Sequence, residues 1–259
     1  MIGSLAVVAF AAAVQIQATD YALAMPATIP GGVTTFTFEN KGHEPHYVRF
    51  VRLADGHTFT EFEAWQKSSG PIPDWLVSSG GIGTVAPGMS EEFTTTLAPG
   101  TYVALCSYPS GDGTPHVRKG MYARLDVGAA GASTAAAMAE DLVLTMHDHG
   151  FQLSAPIGDG RASSPLWRVH NNGSEPHQLL IVRLPDGVTE WQERSWFSNG
   201  ARGERHGVPI GGVIELAPDT DAWFRVALAP GRYLLLCTIV EQDGRHFDLG
   251  MIYRFTIES

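Results

Sequence analysis

His46-Tyr47-Val48-Arg49-Phe50-Val51-Arg52-Leu53-Ala54-Asp55-Gly56 returns later in the chain as His177-Gln178-Leu179-Leu180-Ile181-Val182-Arg183-Leu184-Pro185-Asp186-Gly187, at an offset of 131 residues. The offset holds without a gap on either side. Asn40, Gly42 and Pro45 map to Asn171, Gly173 and Pro176, Gly80-Gly81 to Gly211-Gly212, Ala86-Pro87 to Ala217-Pro218, and Cys106 to Cys237. Beyond the cysteines one residue is lost, so that His116 pairs with His246 and Gly120-Met121 with Gly250-Met251. The period lies far above the roughly 20 to 50 residues of solenoid repeats, which points to the duplication of a whole domain.

Within each copy, period-two alternation between Gly and Pro punctuation marks strands. They are expected over 34–39, 46–53, 91–97, 102–106 and 121–127, and again over 166–170, 177–184, 222–228, 233–237 and 251–257. Residues 58–67 carry Phe59, Phe62 and Trp65 at three-residue steps and read as a short helix. Many short strands at this spacing predict an all-β chain of two Greek-key β-sandwiches in tandem with short helical insertions. The domains are expected over 14–127 and 140–259. The small, featureless stretch 128–139 reads as a linker. Residues 1–13 end in Ala11-Ala12-Ala13 and have the apolar core of a secretory signal without its positive start. Export to a periplasmic or extracellular setting is the expectation.

A formal charge of -10 argues against nucleic acid as a partner, because phosphate binding needs clustered Lys and Arg. No apolar run reaches the roughly 20 residues of a membrane helix. The same charge allows a cationic protein partner without implying one.

The chemistry lies in a set that occurs once per copy: His46, Cys106, His116 and Met121 in the first, and His177, Cys237, His246 and Met251 in the second. A soft copper site takes a thiolate, two imidazoles and a weak axial thioether, so both sets read as mononuclear copper ligands. Each Cys ends a strand before a loop holding the second His and the Met, while the first His comes from a neighbouring strand. Two other readings stay open at this point. A lone Cys can be a buried hydrophobe, and an exported chain could join Cys106 to Cys237 as a disulfide.

The pattern Asn, Gly, Pro-His, then a strand-ending Cys, a His, four residues and Met, resembles the blue copper proteins of the cupredoxin family. Nine residues separate Cys106 from His116 and eight separate Cys237 from His246. That long loop is similar to the type 1 site of copper nitrite reductases. The resemblance implies tandem cupredoxin-like domains with type 1 blue copper sites and one-electron transfer. Tyr47 and Gln178 stand where the family commonly carries Asn. Leu105 and Leu236 stand where nitrite reductases and multicopper oxidases place a His that wires the site to a second copper centre, which favours a carrier over an enzyme. The rival readings are a non-redox module that binds or carries copper, and a nitrite reductase or oxidase.

His147-Asp148-His149-Gly150 is similar to the His-x-His-Gly of multicopper oxidases, but no companion motif accompanies it, so a strand-face pair is the expectation. His43, with Ser174 as its counterpart, is either a surface residue or an extra ligand in the first copy. Trp65, Trp75, Trp191 and Trp196 are expected to pack the helical insertions onto the sheets.

Overall fold

The computed structural model describes residues 13–68, 70–130, 139–158 and 164–258. The expected signal segment, but for its last residue, and positions 131–138 of the expected linker lie outside the described residues. Residues 128–130 close a strand.

In the first copy the strands are β1 Val14–Thr19, β2 Ala22–Ala24, β3 Thr28–Asn40, β4 His46–Leu53, β5 Leu76–Val85, β6 Ser90–Leu97, β7 Gly100–Leu105 and β8 Tyr122–Ala130, with helix α1 Phe59–Gln66 after β4. The second copy has β9 Leu142–His147, β10 Gly150–Leu153, β11 Leu166–Asn171, β12 His177–Leu184, β13 Val208–Leu216, β14 Asp221–Arg225 and β15 Gly231–Leu236. The small hairpin β16 Val240–Glu241 and β17 Gly244–Arg245 and the last strand β18 Ile252–Ile257 complete it, and helix α2 Glu190–Ser198 follows β12.

Strand formation follows the alternation. In β4, His46, Val48, Phe50 and Leu53 are buried, while Tyr47, Arg49 and Arg52 are only partly so. Both helices open on a capping box. Thr58 and Glu61 satisfy each other's backbone N–H groups at α1, and Thr189 and Gln192 do the same at α2.

The strands join into one continuous sheet wound in stacked coils, a β-solenoid, rather than two Greek-key cupredoxin-like β-sandwiches in tandem as expected from the repeat. A single hydrogen-bonded path runs β10-β9-β11-β14-β6-β3-β8-β7-β4-β5-β13-β12-β15-β18 and passes twice between the copies. Strand β3 turns the path. Its first residues pair in parallel with β8 and its later ones antiparallel with β6. The expected strands form, but their pairing is non-local and leaves no mark in the periodicity of either strand. Strands β5 and β6 of the first copy pair with β13 and β14 of the second.

The crossings have a specific register. Ile82 sits opposite Val213 in β5·β13, and Phe93 opposite Phe224 in β6·β14. Both pairs are separated by the repeat offset, so each residue faces its own counterpart and the copies are related by an approximate two-fold axis through both pairings. Arg49 adds an ion pair across the junction to Glu215. One hydrophobic core runs through both copies, from Ile16 to Met251. Two satellite clusters lie under the helices. Phe62, Val103 and Leu105 belong to the first, and Leu180, Leu236 and Phe247 to the second.

Candidate metal centres

His46 opens β4, Cys106 follows the last residue of β7, and His116 opens a 3-10 turn, His116–Lys119, that ends on Gly120 in the left-handed region. All three side chains are fully buried. Their donor atoms converge: His46 Nδ1 and His116 Nδ1 lie 3.0 Å apart, with Cys106 Sγ 4.0 Å from the first and 3.6 Å from the second. In the second copy His177 Nδ1 and His246 Nδ1 are again 3.0 Å apart, and Cys237 Sγ is 3.4 Å from His246 Nδ1. The cysteines are free thiols in separate clusters, which excludes the disulfide between them.

Met121 and Met251 are buried in the core beside these clusters. Backbone bonds tie each into the ligand frame. Met121 donates to the His116 carbonyl at 3.0 Å and accepts from the Cys106 N–H at 3.1 Å, and Met251 does the same with His246 at 2.9 Å and Cys237 at 3.1 Å.

Outer contacts decide what the imidazoles can do. Asp20, in the turn after β1, places Oδ1 2.8 Å from His46 Nε2, and Glu44 places Oε2 2.9 Å from His116 Nε2. Asp148, in the turn after β9, holds His177 Nε2 at 3.1 Å. A carboxylate on Nε2 keeps the proton there and leaves Nδ1 as a bare lone pair. Two bare lone pairs facing each other at 3.0 Å repel, and a cation between them and the sulfur removes that repulsion. This arrangement of donors fits a metal ion.

Electrostatics support the same assignment. Burial lowers the pKa of His46 and His177, and burial together with the neighbouring His46 takes His116 down to about 4, so the rings are neutral ligands at neutral pH. Burial pushes the Cys106 thiol up to about 12 and the Cys237 thiol up to about 11. N–H groups of Tyr47 and Tyr108 point at Cys106 Sγ, and that of Gln178 at Cys237 Sγ at 3.4 Å, which favours thiolate but does not offset burial. A metal cation supplies the missing charge. Two imidazoles and a thiolate, with a methionine buried in the same core, are a copper donor set, and each copy holds one.

The carboxylate partners were not anticipated. Asp148 is the centre of the His147-Asp148-His149 string, whose histidines stay out of the cluster: His147 Nε2 faces Gln152 at 3.3 Å and His149 is exposed. The signal was there, since Asp20 and Asp148 each stand one residue after equivalent strands β1 and β9. Gly42 and Gly173 complete the motif. A Cβ at either would collide with the Asp carboxylate and with Nε2 of His46 or His177. Asn40 and Asn171 hold these loops, each accepting from the glycine N–H at 2.9 Å and donating to two carbonyls. His43 is no ligand: its ring is almost fully exposed and bonds Asp20 Oδ2 at 2.9 Å.

The centres differ at their mouths. His246 Nε2 has no close carboxylate, with Glu175 at 3.8 Å and Glu241 at 4.0 Å. These two acids hydrogen-bond each other, which raises the Glu175 pKa. Beside the first centre a cleft of about 490 Å³ opens between the copies, bounded by Glu44, Tyr108, Trp196 and Arg205.

No protein-family model and no curated protein matches the chain. Among solved structures, reduced auracyanin from Roseiflexus castenholzii is 28% identical, with a TM-score of 0.32, over 44% of this chain and 94% of that one. Auracyanin A, a "blue" copper protein from Chloroflexus aurantiacus, is 20% identical, with a TM-score of 0.30, over 45% of this chain and all of its own. A copper nitrite reductase from Nitrosomonas europaea is 15% identical over 95% of this chain and 93% of its own, with a TM-score of 0.26. The likeness to cupredoxin-type copper proteins is weak and partial, and it does not make this chain a tandem cupredoxin. No helix among the described residues is long and apolar enough to cross a membrane.

Proposed function

We propose that the chain is a copper protein that takes and gives one electron at each of two centres, with Met121 and Met251 as weak axial ligands. The observation that carries this reading is that each buried His, His, Cys set is already drawn together by the protein alone. A site pre-organised in this way needs little rearrangement when copper changes oxidation state, as repeated one-electron transfer requires. A carrier is favoured over an oxidase or reductase by Leu105 and Leu236, which lie beside the cysteines and are buried in the satellite clusters.

Titration of metal-free, reduced protein with Cu(II) tests the proposal. The expected result is two ions per chain, a visible thiolate-to-copper absorption band and reversible one-electron reduction of each centre. Uptake without that band, or with no reversible reduction, would leave the non-redox copper-carrying module as the better reading. Turnover of nitrite or phenols above a free-copper control would move it to an enzyme.

A further inference from the structure

Between the two centres lies a run of aromatic rings that neither centre needs for its ligands. Tyr108 begins it. Its N–H points at Cys106 Sγ, its carbonyl accepts from the His116 N–H at 2.9 Å, and its ring centroid is 5.7 Å from the His116 imidazole. The same ring stacks on Trp196 of helix α2, in the other copy, at 6.1 Å and 27°. Trp196 meets Phe197 at 5.0 Å, and Phe197 meets Phe247 at 6.1 Å. Phe247 directly follows the ligand His246, and its N–H donates to the Cys237 carbonyl at 2.9 Å.

We propose that Tyr108, Trp196, Phe197 and Phe247 form an electronic relay through which the two copper centres exchange an electron within one chain, an inference that rests on the redox reading above. One electron leaves the reduced centre and enters the oxidised one. No bond forms or breaks, and no proton moves.

Two observations separate a relay from ordinary packing. The repeat relates these four positions to Ile239, Trp65, Gln66 and Val117, so the aromatic run is built on one side of the two-fold only. The fold closes on the other side without it. The second observation is the charge placed on the rings. The Arg205 guanidinium lies 4.9 Å from the Trp196 ring and 5.1 Å from Phe197, and that of Arg194 lies 5.5 Å from Phe247. The Arg205 side chain is buried, paired with the buried Glu193 at 2.6 Å and hydrogen-bonded to the Tyr108 side chain. A cation over a π face opposes removal of an electron from that ring. An electron passing between the centres along these rings therefore tunnels through them without oxidising them.

The test is the first-order equilibration between centres after pulse reduction of the fully loaded Cu(II) chain by one electron, followed by absorption at each centre. Trp196→Leu should slow it by an order of magnitude or more, with Trp196→Phe restoring most of the rate. Trp191→Leu, at a residue 74% exposed on the same helix, should leave it unchanged. Copper content, the paramagnetic resonance spectrum and the reduction potential of each centre should be native throughout, and no tyrosyl or tryptophanyl radical should appear. If Trp196→Leu does not fold, Phe197→Leu should show the same slowing. Native rates in either leucine variant, with two coppers bound and native spectra, would overturn the relay alone. A chain that binds no copper would overturn the redox reading and the relay together.

Discussion

Asp148 does for His177 what Asp20 does for His46: it holds the Nε2 proton and aims Nδ1 at the metal. Asp148→Ala should free the ring to adopt the other tautomer and weaken Cu(II) binding at the second centre by about 10 to 100-fold, the usual cost of losing such a partner. A competition titration against a chelator measures it, and unchanged affinity would remove Asp148 from the site. The thiols give a pH dependence of definite sign. With Cys106 up at about 12 and Cys237 up at about 11, both carry a proton at neutral pH and must lose it to bind. Affinity should therefore rise with pH by about tenfold per unit through the neutral range, with one proton released per ion, measurable with a pH indicator in weak buffer. At this scale the ligands were legible because duplication wrote the His, Cys and His twice at matching positions. Asp20 and Asp148 were not, because a single carboxylate in a turn looks like solvated surface until the fold brings it against a buried imidazole. In the 147–149 string the histidines match a metal-binding pattern, but Asp148 between them is the residue that reaches the centre.

Helices α1 and α2 show a parallel contrast among the elements. The first was read over 58–67 and runs over Phe59–Gln66, with Thr58 as its cap. The second has the same Thr-x-x-Glu/Gln box, Thr189 with Gln192, but it was anticipated only as an insertion. Because α2 carries Trp196 and Phe197, its cap has a double effect. Thr189→Ala should cost about 1 kcal/mol of stability, seen as a lower midpoint in urea, since it leaves the Gln192 N–H without its acceptor. An unchanged midpoint would mean that tertiary packing alone holds the helix. Strands β5 and β13 were missed for a physical reason. Runs such as Ser79-Gly80-Gly81-Ile82-Gly83 are poor in the β-branched and aromatic residues that mark strands. Such backbones form strands where another backbone approaches closely, and here these two pair across the repeat. Of the two pairings that join the halves, β6·β14 involves strands expected from the alternation, whereas β5·β13 involves the two glycine-rich strands that are not.

For the molecule as a whole, Glu91 is a buried carboxyl at that junction. It is 2% exposed, Oε2 accepts from the Gly212 N–H of the other copy at 3.1 Å, and Oε1 has no partner. Burial pushes its pKa well above the ordinary 4.5, against the backbone hydrogen bonds from Gly212 and Gly83. Because the folded-state value is the higher one, the group favours folding fully below the unfolded value, and that contribution is lost as pH rises through the folded value. Glu91→Gln keeps an acceptor for Gly212 and removes the titration. It should raise the urea midpoint at pH near 7, and the difference should vanish at about pH 4. A gain that persists in acid would point to packing rather than charge. The register at the same junction has a wider consequence. Ile82 against Val213 and Phe93 against Phe224 is the geometry of two identical subunits meeting face to face. In a dimer of identical one-copy chains, every substitution is made twice, and both centres must change together. Fusion into one chain removes that obligation. Tyr108 can stand where its counterpart is Ile239, and a second acid can sit at one mouth and not the other, so the two centres can specialise as donor and acceptor while still sharing one sheet.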